Sequence, residues 1–267
     1  MSARIAMKGA MLLGLAAILA LPAAAPAQGG GDVRGKLAAY KQRVTLLEDQ
    51  DAIENLQGNF GYYFDKGLWD QASGLFAAKG SFEYGQRGVY VGPARIRQAM
   101  LLFGPQGLGE GRLNNHMMLQ PVVVVAPDGK TATGRWQGMV MLSEPGQNGK
   151  WGVGIYENDY VKEGGVWKFA KVHFFMTALT DYDLGFAKYA IQMEGPSALF
   201  PPDRPPTDVY RSFPNAYLPP FSFRHPVTGQ SLADLPLAGD DIVGRPDKGL
   251  ESEKLKESSA SKGMRQQ

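Results

Sequence analysis

Residues 113–179 read LNNHMMLQPVVVVAPDGKTATGRWQGMVMLSEPGQNGKWGVGIYENDYVKEGGVWKFAKVHFFMTAL, and this stretch decides the fold. Turn residues divide it into four long segments: Leu113 to Ala126, Lys130 to Ser143, Trp151 to Lys162 and Val166 to Leu179. Asp128-Gly129 and Gly164-Gly165 are tight hairpin connections, and Pro145-Gly146 opens a looser one. Four consecutive long strands joined by hairpins predict a strongly bent antiparallel sheet.

Upstream the period changes. From about Val33 to Asp65 apolar residues recur at helical spacing, with Ile53, Leu56, Phe60 and Tyr63 or Phe64 on one stripe. Gly67 ends that helix, and Trp69 to Ala77 reads as a second, short one. Ser81 to Tyr84 and Gly88 to Val91 read as paired short strands. Pro93 suits the first turn of a helix running through Ala94 to Phe103. The loop from Gly104 to Gly111 holds four glycines but matches neither a phosphate-binding loop nor a dinucleotide fingerprint. Helices followed by a bent sheet make an α+β domain over residues 36–185.

Downstream of about Phe186 the composition shifts again. Nine of the chain's 18 prolines fall between Pro196 and Pro226, interleaved with Tyr210, Phe213, Tyr217, Phe221 and Phe223. Aromatics at this density argue against a disordered linker. Residues 186–248 are expected to form an ordered arm that wraps the domain or a neighbouring subunit, with its prolines limiting chain entropy. Residues 249–267 are small and charged, and a disordered tail is expected there.

The first 27 residues resemble a secretory signal. Arg4 and Lys8 precede an apolar run from Ala10 to Leu21, and Ala25-Pro26-Ala27 offers small residues for cleavage after Ala27. Gly29 to Gly31 then form a joint within a 28–35 linker. This reading implies a periplasmic or secreted protein. Without the leader the chain has 26 basic and 26 acidic residues. That neutrality argues against nucleic acid as a partner, and no membrane association is expected after cleavage. The sequence has no cysteine, which excludes disulfides, thiolate metal centres and thiol nucleophiles. Its three histidines are far apart and form no metal motif, so neither metal nor cofactor is expected.

In order and spacing, several short motifs together resemble the NTF2-like superfamily, in its SnoaL-like and scytalone-dehydratase-like branch. They are Tyr62-Tyr63-Phe64-Asp65, Gly67-Leu68-Trp69-Asp70, Leu75-Phe76, Phe82-Glu83-Tyr84, Gly92, the central His116, Gly154-Ile155-Tyr156 and Gly165 to Phe169. The resemblance covers about residues 36–182. It implies a cone: a curved sheet enclosing a pocket closed by three helices. That branch holds cofactor-independent dehydratases, cyclases, isomerases and lyases as well as binding modules, so fold alone does not choose among them. The dehydratase pattern puts Asp65, Tyr84 and His116 at catalytic positions, with the aspartate orienting the histidine and a tyrosine polarising the substrate. Phe64 stands where that pattern has a second tyrosine. Gly154 and Tyr156 replace a serine and an asparagine, and no second histidine occurs near Leu142. The chain is also similar in general character to sphingomonad γ-formaldehyde lyases acting on lignin-derived diarylpropane or phenylcoumaran dimers.

Strand alternation refines the candidates. Asn114, His116, Met118 and Gln120 share a face too polar for plain core, as expected of a pocket wall. Histidine is the usual acid–base group near neutral pH; the alternative is a structural histidine bonded to a backbone carbonyl. Tyr84 either donates to a substrate oxygen or is half-buried packing. Tyr62 and Tyr63 diverge by about 100°, so at most one is central. Trp167, Phe169, Lys171, His173 and Phe175 alternate together. If the first two fill the narrow end of the cone, Lys171 and His173 enter its wide part, where a desolvated lysine is a competent base; otherwise Lys171 escapes to solvent. Arg135, Trp136, Tyr156 and Asn158 are expected to line the pocket, and His225 is expected to be structural.

The expected function is a cofactor-independent lyase on a small phenolic aromatic. In its sharper form, His116 or a tyrosine assists loss of a benzylic hydroxyl, while Lys171 or His173 deprotonates the phenol to give a quinone methide. Formaldehyde then leaves a neighbouring CH₂OH, and a stilbene remains. A carrier of hydrophobic ligands, or a dehydratase, isomerase or cyclase of the same fold, would use the same pocket. A homodimer or trimer is expected.

Overall fold

The computed structural model describes residues 29–233 except Asn148 and Ala216. Residues 1–27, read above as a signal, residues 234–248 of the expected arm and the expected 249–267 tail lie outside the described residues. The chain divides into two units, residues 1–42 and residues 43–267. Of the first, the described part is helical, with every side chain from Val33 to Gln42 exposed. Apart from that helical segment, everything below concerns the second unit.

Helix α1 (Gly29–Asp65) reaches back through Gly29 to Gly31, so the expected 28–35 linker is mostly helix. Its apolar stripe is buried at Ile53, Phe60 and Phe64. Short α2 (Trp69–Gly74) follows, then β1 (Phe76–Tyr84), β2 (Val89–Val91), α3 (Pro93–Met100), a 3-10 turn at Leu101–Phe103, and the long strands β3 (Leu113–Val125), β4 (Thr131–Ser143), β5 (Lys150–Glu163) and β6 (Val166–Asp181). One six-stranded sheet has the order β2-β1-β6-β5-β4-β3. The long strands pair antiparallel, as their hairpins require. The helices lie before and between strands of this sheet, the α+β arrangement expected.

Two local expectations fail for tertiary reasons. The second helix stops at Gly74, and Phe76 and Ala77 begin a strand, because Phe76 pairs with Phe169 and both rings enter the core. The sheet is also mixed rather than purely antiparallel, since β1 runs parallel to β6.

The core is aromatic. Phe60 packs against Phe64, Phe76, Phe82 and Phe169 with ring centroids 5.3–6.5 Å apart. The pairs with Phe76 and Phe169 are edge-on, a geometry that adds about 0.5–1.5 kcal/mol each beyond burial. A buried polar network completes the packing. Trp136 Nε1 donates to the Tyr160 hydroxyl (2.9 Å), which donates to Gln57 Oε1 (3.1 Å), and Asn158 Nδ2 donates to the same oxygen (2.9 Å).

Bulges govern which side chains face inward. In β6, Lys171 pairs with Asp159 and Phe169 with Tyr160, so Ala170 is extra. Ala178 pairs with Val153 and Met176 with Gly154, so Thr177 is extra. Each extra residue inverts the alternation. The inward set therefore runs Trp167, Phe169, then Val172, Phe174, Met176, then Leu179. A third irregularity at Gln120 (φ 50°) and Pro121 does the same in β3, where Val123 and Val125 rather than Gln120 join the core.

The arm clasps its own domain. Val89 bridges to Arg204, the Tyr90 hydroxyl donates to the Phe200 carbonyl (2.6 Å), and Asp203 accepts from Val91 N–H (2.9 Å) and Arg95 Nε (2.8 Å). Tyr210 is fully buried on the outer sheet face with Phe175 and Tyr217, and its hydroxyl accepts from Met176 N–H (2.9 Å).

Candidate active site

Asp65 ends α1, and Gly67 (φ 62°) turns the chain immediately after it. An acid at a helix C-terminus opposes the helix dipole, so its neighbours must compensate. His116 on β3 supplies that compensation twice. Its backbone N–H donates to Asp65 Oδ1 at 2.6 Å, and its ring Nδ1 lies 3.2 Å from the same oxygen. Asn114 Nδ2 donates to the terminal carbonyls of Phe64 (2.9 Å) and Asp65 (3.3 Å), capping the helix. Gly61 permits this close approach, because a Cβ there would stand 3.2 Å from Met118 Cγ and 3.3 Å from the His116 carbonyl. With Nδ1 directed at a carboxylate, the favoured neutral tautomer carries its proton on Nδ1 and leaves Nε2 basic.

His116 and Asn114 line a cavity of about 320 Å³, together with Tyr84, Phe103, Val140 and Met176. This is the small end of the range for ligand sites. Tyr84 stacks on Phe174 at 4.8 Å and meets the edge of Phe103 at 4.8 Å. Burial raises its pKa far above that of a free phenol, and Arg87 opposes the rise only partly. Tyr84 therefore stays protonated, as a hydrogen-bond donor. Tyr156 is buried against Phe174 at 4.5 Å, and burial, Tyr84 and Asp65 raise its pKa too. Two glycines make room for these rings: a Cβ at Gly138 would meet Tyr156 and Phe174, and one at Gly154 would stand 2.3 Å from Phe174 Cζ.

The remaining expected site residues separate from this cluster. Tyr62 is 73% exposed, and Tyr63 packs against the core edge; Phe64, between them and the site, lies edge-on to His116 at 4.7 Å. Met118 accepts from Gln57 Nε2 at 3.4 Å. Trp136 and Asn158 belong to the buried network with Gln57 and Tyr160 and do not line the cavity. Arg135 is on the outer face, paired with Glu157 (2.5 Å), lying over Phe221 and donating to the carbonyls of Pro219 and Pro220.

Lys171 and His173 are also corrected. The Ala170 bulge turns both to the outer face. Lys171 pairs with Asp159 (3.0 Å) at the surface. His173 is buried beneath the arm, stacked on Phe175 at 3.8 Å. Its Nδ1 is 3.6 Å from Glu83 Oε2, too long for a hydrogen bond, and its Nε2 has no hydrogen-bond partner. Glu83 instead accepts from the Thr207 backbone N–H (2.7 Å) and hydroxyl. Burial, reinforced by Lys171, lowers the His173 pKa to about 3. Burial raises that of Glu83 despite the Thr207 hydrogen bonds. His225 accepts from Val227 and Thr228 N–H within a turn.

Sequence reading missed Phe103, Arg87, Arg112 and the arm segment Ile191–Glu194, all of which line the cavity. Arg87 sits between Gly85 and Gly88, where only a turn was legible, and the arm segment has no motif. Among the described residues, no group of three or more histidine, aspartate or glutamate side chains is placed to hold a metal ion.

Residues 45–173 match the family model of the SnoaL-like domain. No curated protein sequence matches the chain. A protein from Novosphingobium aromaticivorans, provisionally assigned as a scytalone dehydratase, is 19% identical, covering 58% of this chain and 97% of its own at a TM-score of 0.47. LinA is 16% identical over 52% of this chain and 93% of its own, with a TM-score of 0.45. An NTF2-like protein of cystatin-like fold from Novosphingobium aromaticivorans is 21% identical over 52% and 75%, with a TM-score of 0.42. These likenesses are of fold alone.

Proposed function

We propose that this SnoaL-like domain is a cofactor-independent lyase acting on a small phenolic aromatic compound. The observation that carries the reading is the Asp65–His116 pair, whose imidazole shares a 320 Å³ cavity with a tyrosine held protonated by burial. A carboxylate-oriented imidazole is a general acid–base group, and a buried phenol stabilises charge developing on a substrate oxygen. The aromatic lining supports an aryl substrate.

In the finer form, the substrate is a lignin-derived diarylpropane or phenylcoumaran with a benzylic C–O bond and a neighbouring CH₂OH. With Lys171 and His173 on the far side of the sheet, His116 serves in both steps. For a diarylpropane diol, the imidazolium gives a proton to the benzylic hydroxyl, which leaves as water, while the phenol loses its proton to solvent and a quinone methide forms. Neutral His116 Nε2 then takes the CH₂OH proton. The C–C bond breaks, formaldehyde departs, and the electron pair restores the phenolate and leaves a stilbene. Tyr84 hydrogen-bonds the departing oxygen. Each acid–base step supplies about 10²–10⁴-fold.

Residues 1–27, read as a cleaved signal, support action in the periplasm or outside the cell. The exposed Leu119, Val122 and Val124 of edge strand β3 support self-association as a dimer or trimer.

The test offers guaiacyl diarylpropane diols and phenylcoumarans to the full chain and to His116→Ala, following formaldehyde release and stilbene absorbance. Both products should appear together with the wild type, and His116→Ala should lose turnover while keeping affinity. Binding without turnover would replace the lyase by a carrier. A dehydrated product without formaldehyde would replace it by a dehydratase.

A further inference from the structure

The cavity mouth carries charge that the acid–base pair does not use. Arg87 is only 17% exposed, and its guanidinium lies 5.9 Å from the centroid of the Phe103 ring. Its ion-pair partner is Glu194 on the arm, at 2.5 Å, a side chain that is 75% exposed. Arg112 also lines the cavity and touches the same phenylalanine. Its Nη2 reaches the Phe103 carbonyl at 3.5 Å, and its Nε is 3.3 Å from the half-exposed Glu144. Phe103 meets Tyr84 edge-on at 4.8 Å and Phe64 at 5.0 Å, and Phe64 in turn meets His116 at 4.7 Å. A path of aromatic rings thus joins the Arg87 guanidinium to the imidazole.

The asymmetry of the Arg87–Glu194 pair is informative. A largely buried guanidinium needs a counter-ion, and its fixed fork matches a carboxylate in bidentate geometry. An exposed glutamate gains little from such a pair and loses little when returned to water. Glu194 is therefore an exchangeable occupant. It is also carried by a segment outside the SnoaL-like match, which ends at residue 173.

We infer that Arg87, assisted by Arg112, forms a carboxylate-binding subsite at the cavity mouth, and that the ligand is an aryl compound bearing a carboxylate at the end remote from the reacting carbon. The clause about the reacting end rests on the lyase reading; the subsite does not. Entry of the ligand carboxylate displaces Glu194, which acts as a resident competitor.

Calorimetric titration of the full chain with hydroxybenzoate, hydroxycinnamate and a stilbene carboxylate, each beside its neutral carboxamide, tests this. At least one carboxylate should bind tenfold or more tightly than its amide, and 0.5 M salt should erode that preference. Glu194→Gln should strengthen the carboxylate severalfold and leave the amide unchanged. Arg87→Gln should bring the two to equal affinity. No preference for any carboxylate in the wild type, including no binding at all, would overturn the subsite. So would a parallel loss for acid and amide in both variants, because a purely structural latch behaves that way. Carboxylate preference without turnover on any substrate would sink the lyase reading and leave the subsite standing.

Discussion

Replacing Asp65 with asparagine keeps the shape of the site and removes one charge. In the native structure one carboxylate oxygen receives both the His116 N–H at 2.6 Å and the ring Nδ1 at 3.2 Å. Two unit charges 3.2 Å apart at an effective dielectric of 20 attract by about 5 kcal/mol, which is a ceiling for what the aspartate gives the imidazolium. Asp65 is one-fifth exposed, so solvent screening reduces the useful part to about 2–3 kcal/mol. At about 1.4 kcal/mol per decade, kcat should fall about 30- to 150-fold. Asparagine can still accept the backbone N–H, so ligand affinity should stay within about threefold. Nitrogen-15 NMR of the imidazole provides a readout independent of substrate: the Nδ1–H tautomer should dominate in the wild type, and the Nε2–H form should grow in Asp65→Asn. A kcat within threefold of wild type, or a wild-type histidine already in the Nε2–H form, would refute the orienting role.

Tyr84→Phe keeps the ring on Phe174 but removes the phenol. Turnover should drop about 10²–10³-fold with the melting temperature nearly unchanged, and equal turnover would remove Tyr84 from the chemistry. Gly154→Ala should destabilise strongly, because its Cβ would stand 2.3 Å from Phe174 Cζ and 2.5 Å from the immovable Phe175 carbonyl. Overpacking at about 3 kcal/mol lowers the melting temperature by about 6–12 °C. Gly58→Ala has open space around its Cβ within α1 and should gain about 0.5–1 kcal/mol, so calorimetry of the pair gives opposite signs. His173 has a native pKa depressed to about 3, so the unfolded chain binds its proton first and stability falls as pH drops from 6.5 towards 3. Glu83, with a raised pKa, opposes this by losing stability as pH rises above 4.5. Acid unfolding followed by circular dichroism should show His173→Leu surviving to lower pH than the wild type, by an amount reflecting roughly 3–5 kcal/mol at full protonation; an unchanged midpoint would show that His173 is not buried as a neutral group.

Much of the architecture was legible because its signals are local. Gly129, Gly164 and Gly165 take positive φ at the hairpins, and the stripe at Ile53, Phe60 and Phe64 is the buried face of α1. Asp65 and His116, 51 residues apart in sequence, could be nominated together only through resemblance; no spacing rule joins a helix end to the middle of a strand. Arg87, Arg112 and the arm segment gave no signal, because a mouth residue is defined by what surrounds it. Alternation along one strand assumes that each residue has an opposite number, and nothing in the sequence of β6 alone marks where that fails. Ala170 and Thr177 become extra residues only against the particular register of β5, and each inverts the faces of all that follows. The sequence by itself therefore determined the strands, the turns and the helix stripe, since these depend on neighbours a few residues away. Only the tertiary pairing decided which side of β6 looks into the cavity, placing Met176 and Leu179 inside and Lys171 and His173 outside.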